Sequence, residues 1–277
     1  MKRQASNSLV GIARHLRRRL AAVCGAIVRA INTPASSEER YPGIINGDDR
    51  VRVDARGAPW DAIGQVNVGG YRQVRKCTGT LIAPNLVLTA AHCVINPLTG
   101  APFPLRDIHF LAGVRGPDTK DHSTAKCLHF VTNYKIALPT PRISKAPLGA
   151  WATDVVTIVL QQELAVDPVP LAESVVPRAR LELVHAAYAA DRRFRLSAHF
   201  NCHLLRFDVG SLWFNDCDTH PASSGGPLLT SIDGVLKLAA IMLGTLKGNS
   251  NLALPLSQWK ELTGDSDLPR FLGPLSA

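Results

Sequence analysis

The stretch DTHPASSGGPLL, Asp218–Leu229, sets two serines and two glycines between a proline and an apolar run. Gly and Pro are the ordinary punctuation of loops, so its first reading is a turn. Its second reading is chemical. A serine hydroxyl is a poor nucleophile until a general base takes its proton, and such a base must be a fixed imidazole. In CTGTLIAPNLVLTAAHC, Cys77–Cys93, His92 stands directly after two alanines and directly before a cysteine. Small residues let the chain turn tightly at a strand end, and a Cys77–Cys93 bond would pin that turn onto the preceding strand. A lone histidine is more often a surface or satisfied core residue; the flanks of His92 shift the balance toward the base.

Other residues with chemical potential have blander readings. HFNCH, His199–His203, carries a histidine pair four residues apart around Cys202, a metal-binding spacing on a helix but not on the strand or loop that this segment resembles. His220 lies in the serine turn itself, before Pro221, and lines a pocket rim rather than serving as the base. DRRFR, Asp191–Arg195, reads as a solvated loop, and Tyr188, Phe194 and Trp213 read as packing residues. The cysteines number six. Cys77/Cys93 and Cys202/Cys217 form two pairs with similar short spacings, Cys127 is left over, and Cys24 lies near the N-terminus. In an exported protein two disulfides and one odd thiol follow; in a cytosolic one the same residues are reduced and buried. No C-x-x-C spacing occurs, which counts against a zinc ribbon.

The elements that must position these residues are short. Runs at 62–68, 79–84, 86–90, 108–114, 155–160, 181–187, 203–209 and 236–243 are rich in Val, Ile and Leu and bounded by Gly, Pro, Asn or Asp, which predicts strands. Many short strands separated by turn signals predict an all-β barrel or sandwich. Helical patterning is confined to the first residues, a stretch near Leu171–Val176, and PLSQWKEL, Pro255–Leu262, a short C-terminal helix. The Pro-rich segment 138–149 reads as the crossing between two halves.

Two motifs carry a family resemblance. LTAAHC resembles the histidine motif of chymotrypsin-like serine proteases, and SSGGP resembles their serine motif, in the same order along the chain. The resemblance covers most of residues 44–262 and is closest to the bacterial glutamyl-endopeptidase branch, through INGDDRV, PWDAIGQV, NDCDT and NLALPLSQW. It implies two six-stranded antiparallel β-barrels packed face to face, the first over about residues 41–140 and the second over about 150–265. It also implies a third partner, an Asp opening an apolar strand between the two motifs. Asp107, Asp118 and Asp121 compete, but only Asp154, in TDVVTIVL, opens a long buried-looking strand. Shielding from water suits the task of holding one imidazole tautomer and stabilising the imidazolium. The resemblance thus makes Ser224 the nucleophile, His92 the base and then the acid, and Asp154 the orienting carboxylate. The N–H groups of Ala222 and Ser224 would face the developing oxyanion.

Four departures from the family pattern bear on function. The glycine expected two residues before the nucleophile is Ala222, whose methyl group restricts the backbone. Ser223 stands where the trypsin branch has an Asp that pairs with a freed N-terminal amine. Met242 stands where the glutamyl branch places a glutamate-reading histidine. Asp218, followed by Thr219, lies six residues before Ser224, where trypsin-like proteases carry an Asp selective for basic substrates. Asp218, Thr219 and Met242 are therefore the candidate pocket residues.

The length of 277 residues allows one large domain or two lobes. The net charge of +9 suggests an acidic partner, but residues 1–40 hold eight basic residues against two acids and so carry +6 of it, leaving only +3 for the remainder. That distribution argues against a nucleic-acid-binding reading of the folded part. Residues 1–40 read as a basic leader and linker: a secretory signal with the apolar run LAAVCGAIV, or an amphipathic targeting or membrane-surface helix. No apolar run is long enough for a membrane-spanning helix. The expectation is a secreted or periplasmic serine endopeptidase acting on polypeptides, residues 41–277, without cofactor or metal. The alternative is a catalytically silent relative that binds proteins in the same cleft.

Overall fold

The computed structural model describes residues 41–70, 74–131, 148–172, 175–208, 212–246 and 250–263. The chain divides into two units, Met1–Arg40 and Tyr41–Ala277, and every described residue belongs to the second. The leader, its Cys24 and most of the Pro-rich crossing segment lie outside the described residues.

Thirteen strands account for nearly all the described regular structure. Six of them close a first antiparallel barrel in the order β2 (Ile63–Val68), β3 (Arg75–Ala83), β4 (Leu86–Thr89), β7 (Val156–Leu160), β6 (Asp121–Phe130) and β5 (Ile108–Ala112). Six more close a second barrel: β8 (Glu182–Ala187), β9 (Ser197–Phe207), β10 (Trp213–Asn215), β13 (Ser250–Pro255), β12 (Val235–Leu246) and β11 (Pro227–Ile232), which returns to β8. Closure removes the unpaired edges that would otherwise invite aggregation. The expected two-barrel, all-β architecture with a C-terminal helix, here Leu256–Thr263, is observed.

The strands form where the apolar runs dictate. β2 and β4 are buried at every position, whereas β5 alternates between buried and half-buried residues. The helix expected near Leu171–Val176 is not seen at its described positions: Leu171 makes an isolated parallel bridge to Leu238, and Ala172 donates to the Leu238 carbonyl. Backbone groups paired with a strand of the second barrel are not available for a helical turn.

Two features join the barrels. One apolar cluster runs from Val66, Leu81 and Phe110 of the first into Leu229, Leu238 and Ile241 of the second. Tyr188, just after β8, shares its one hydroxyl proton between the carbonyls of Val114 and Ile63 and receives a hydrogen bond from Arg115. The two-residue strand β1 (Val51–Arg52), although it precedes the first barrel, pairs with β9 of the second. The chain therefore enters the domain along the second barrel before building the first.

Candidate active site

His92 lies in a single 3-10 turn, Ala91–Cys93, directly after β4. Ala91 and Cys93 are buried, while the His92 side chain is 17% exposed, so its neighbours fix the backbone and leave the ring accessible. The turn is tied to β3 by the Cys77–Cys93 disulfide. Asp154 stands just ahead of β7, which pairs with β4, so the ladder sets the aspartate beside the histidine. One carboxylate oxygen accepts the His92 backbone N–H at 2.8 Å and the other meets Nδ1 at 2.6 Å. A carboxylate only accepts, so Nδ1 carries a proton, and in the neutral ring the lone pair is on Nε2. Asp154 is buried. Asp107, by contrast, ends the 3-10 turn Leu105–Asp107 and is half-buried, and Asp121 accepts the N–H groups of His122 and Ala165.

Ser224 sits in the turn between Asp218 and β11. Every other N–H in the turn is satisfied: His220 bonds Ser223 Oγ, Ser223 bonds the His220 carbonyl, Gly225 the Met242 carbonyl and Gly226 the Ser223 carbonyl. Among the described residues, no acceptor takes the N–H of Ala222 or of Ser224. The Pro221 carbonyl accepts from Ala190 N–H at 2.7 Å, and in a trans peptide the following N–H points the opposite way. Ala222 takes φ +74°, in the left-handed region that its methyl group disfavours. Gly225 also has positive φ, and a Cβ there would lie 2.0 Å from Thr89 Oγ1 and 2.4 Å from the Thr78 carbonyl, so only glycine fits.

The serine turn is braced from the other barrel by Thr78 of β3. Its N–H donates to the Ser224 carbonyl at 2.9 Å, and its hydroxyl donates to the Ala222 carbonyl at 3.1 Å while accepting from Tyr188 N–H. Thr78 is fully buried, and nothing in its sequence neighbourhood marks it; only contacts 144 residues away give it a role. Cys93 Sγ lies 3.8 Å from the Ser224 carbonyl, which sets the serine next to the histidine turn. The Ser224 hydroxyl donates to the Leu243 carbonyl at 3.2 Å. That carbonyl is free because the β12–β13 register shifts between Met242 and Gly244, leaving Leu243 bulged out of the ladder.

The expected pocket residues lie elsewhere than anticipated. Asp218 is fully buried, and its two oxygens accept the N–H groups of Ile45 and Asp49, each at 2.8 Å. It anchors the entering chain and presents no carboxylate to a substrate cation. Met242 is also fully buried, in the apolar cluster inside the second barrel. Thr219 is 2% exposed, and its N–H donates to the Gly43 carbonyl. Gly43 packs so tightly there that a Cβ would lie 2.5 Å from the Thr219 carbonyl and 2.6 Å from Thr245 Cγ2. The Tyr41 ring stands 4.5 Å from that of His220, and its hydroxyl bonds the Thr245 side chain. The Tyr41–Gly43 segment thus walls the space beside Thr219 and Thr245.

The second disulfide, Cys202–Cys217, links β9 to the residue before Asp218, and Cys127 is free, as the spacing of the cysteines in an exported protein predicts. His199 and His203 lie on β9, about 13 Å apart along a strand, too far to share a metal. Cys77, His92 and Cys93 approach one another, as do Cys202, Asp216 and Cys217, but both cysteine pairs are oxidised and offer no thiolate.

A family model described as a trypsin-like peptidase domain matches residues 77–236. Among solved structures, a Glu endopeptidase in complex with MPD superposes with a TM-score of 0.64 at 19% identity, covering 79% of this chain and 99% of that one. The VesB protease of Vibrio cholerae superposes with a TM-score of 0.58 at 16% identity, covering 76% of this chain and 65% of that one. No curated protein matches the sequence. At these identities the structural likeness establishes a shared fold, and the motif-bearing residues His92, Asp154 and Ser224 all fall within the matched region.

Proposed function

The chain belongs to the trypsin-like peptidase family, and from that premise we propose that it is a serine endopeptidase with Ser224 as nucleophile, His92 as general base and acid, and Asp154 as orienting carboxylate. The observation that carries this reading is the serine turn. Its backbone leaves the N–H groups of Ala222 and of the half-exposed Ser224, and no others in the turn, without an acceptor among the described residues. Two such donors stabilise the negative charge that develops on a carbonyl oxygen under attack.

The steps follow from the groups present. The substrate carbonyl enters the two-donor site. The Ser224 hydroxyl leaves the Leu243 carbonyl for His92 Nε2 and surrenders its proton as Oγ attacks. Asp154, bonded to Nδ1, stabilises the resulting imidazolium. The imidazolium protonates the leaving amine, which departs as the C–N bond breaks and the acyl-enzyme forms. Water then attacks the ester with His92 as base, the acid product leaves and Ser224 regains its proton.

Burial of Asp218 and Met242 supports neither Arg/Lys selection through Asp218 nor glutamate selection through a histidine at Met242. The two disulfides favour folding in an oxidising compartment, secreted or periplasmic, and among the described residues no helix is long and apolar enough to cross a membrane. The test is a fluorophosphonate probe combined with hydrolysis of a casein or peptide pool. The wild type should be labelled and Ser224→Ala should not, with turnover falling by at least about 10⁴-fold. A folded wild type that neither labels nor cleaves would mean a silent binding relative instead.

A further inference from the structure

The loop Asp191–Arg195 does more than shield a surface. Its first two charges are paired: Asp191 with Arg50, and Arg192 with Asp48 and the Arg50 carbonyl. Arg193 and Arg195 are exposed, and among the described residues neither has an acidic partner. Arg193 faces a cleft that it shares with Gln65, Lys76, Ala190, Phe194 and Ala222, the last being one of the two oxyanion donors. It also borders a groove of ≈ 400 Å³ with Arg52, Asp191, Arg192 and Arg195, where the Asp191 carboxylate is taken up by Arg50. Arg52 is paired with Asp54, an exposed and screened contact.

Two cations therefore border the reacting centre with no anion between them. The ammonium of Lys76 feels this arrangement: burial first, and then the Arg193 charge, push it below its ordinary value. The loop is held in this form at a conformational cost. Phe194 takes φ +59°, rare for a bulky residue, fixed by the hydrogen bond from Gly116 N–H to its carbonyl. The residue is 40% exposed, and its ring centroid lies 5.6 Å from Lys76 Nζ. Lys76 of β3 and Arg193 of the loop, sharing a cleft lined by no acidic residue beside an exposed aromatic side chain, form a site for an anionic group.

The side of the cleft identifies the ligand. His92 gives its proton to the departing amine, so the chain beyond the scissile bond must lie on the side of His92 and the Cys77–Cys93 bridge. Lys76 immediately precedes Cys77 on β3. The acyl side lies opposite, where the Leu243 carbonyl meets Ser224. We propose that Lys76 and Arg193, with Arg195 beyond them, form a cationic subsite for the leaving portion of the substrate, selecting polypeptides that carry Asp or Glu within about three extended residues after the cleaved bond. This rests on the serine-endopeptidase reading above.

The experiment uses the full chain and paired fluorogenic peptides, identical except for Asp/Glu or Asn/Gln after the cleaved bond. At low salt kcat/KM should favour the acidic peptide about tenfold, and the ratio should approach one at high ionic strength. Lys76→Glu combined with Arg193→Glu should invert the preference. In parallel, the binding of labelled acidic and amide peptides to Ser224→Ala is followed by fluorescence anisotropy, which needs no turnover. Cleavage of both peptides at a ratio near one, or a ratio unmoved by charge reversal, overturns the subsite and leaves the endopeptidase reading standing. No cleavage of any peptide, with no probe labelling, overturns the endopeptidase reading. The binding arm then decides separately: equal affinity for the acidic and amide peptides overturns the cationic cleft as well.

Discussion

An alanine in the left-handed region costs about 1–2 kcal/mol relative to its ordinary conformations. Ala222 bears that cost at φ +74° because both flanking carbonyls are held, Pro221 by Ala190 N–H and Ala222 by the Thr78 hydroxyl. The methyl group strains the turn but does not alter where its N–H points. Ala222→Gly should remove the strain and lose part of the gain to a more flexible unfolded chain, for a net stabilisation of roughly 0.5–1 kcal/mol. Urea denaturation measures this, and peptide hydrolysis should be kept or improved. A marked loss of kcat in a stabilised Ala222→Gly would mean that the methyl group holds the hole in shape. Legibility at this scale divides by the range of the cause. His92 and Ser224 stood out because their neighbours in sequence, two alanines and a cysteine or two glycines and a proline, make their turns. Asp218 was misleading because the partners that consume its oxygens, Ile45 and Asp49, lie about 170 residues away, and no local pattern announces them.

Strands deliver these residues, and the strand that does most is β3. It carries Lys76, Cys77 and Thr78 in succession: one to the cationic cleft, one to the disulfide behind His92, and one to the serine turn. Thr78→Val keeps the shape but removes the hydroxyl that braces the Ala222 carbonyl and that satisfies Tyr188 N–H. Leaving that buried N–H without a partner should destabilise the protein by about 2 kcal/mol. Because the donor at Ala222 loses its brace, kcat should fall roughly tenfold with KM little changed. If stability falls while kcat holds, Thr78 is structural only. Most of the strands were visible as apolar runs. β6 was not, because DHSTAKCLHF mixes charges with only two buried positions and so lacks both continuous apolarity and clean alternation. β11, beginning at Pro227, was hidden behind the serine motif it follows, and the two residues of β1 are too short to show any period. The stretch near Leu171 misled for the opposite reason: its local composition suits a turn of helix, but Leu238 claims its backbone.

The charge of the whole molecule is concentrated in the first 40 residues, and the folded part, at +3, hides its local cationic surface within a balanced total. Net charge alone could not show that Lys76, Arg193 and Arg195 converge from segments more than 100 residues apart. Stability against acid is likewise a property of the assembled barrels. His185 of β8 is buried; its Nδ1–H donates to the Pro227 carbonyl at 3.1 Å, and Nε2 has no partner. Protonating Nε2 would create a buried, unmatched charge. Burial, opposed by the Pro227 carbonyl and reinforced by His199 and Arg50, pushes the imidazole down to about 4. The folded value lies below the unfolded value of 6.5, so as pH falls the unfolded chain takes the proton first. The stabilisation is complete above about pH 6.5 and is lost as pH falls toward about 4, on the order of 3 kcal/mol in all. Asp48, held at about 2 chiefly by its hydrogen bond with Arg50, extends the loss to lower pH, since its contribution disappears as pH falls from 3.8 through 2. Denaturation midpoints measured from pH 8 to pH 4 should therefore decline most steeply below pH 6.5, and His185→Asn should flatten that decline. Should the variant fail to fold, hydrogen–deuterium exchange at the His185 Cε1 position in the wild type reports the same titration directly. A midpoint below 5 supports the buried neutral imidazole, and one near 6.5 refutes it.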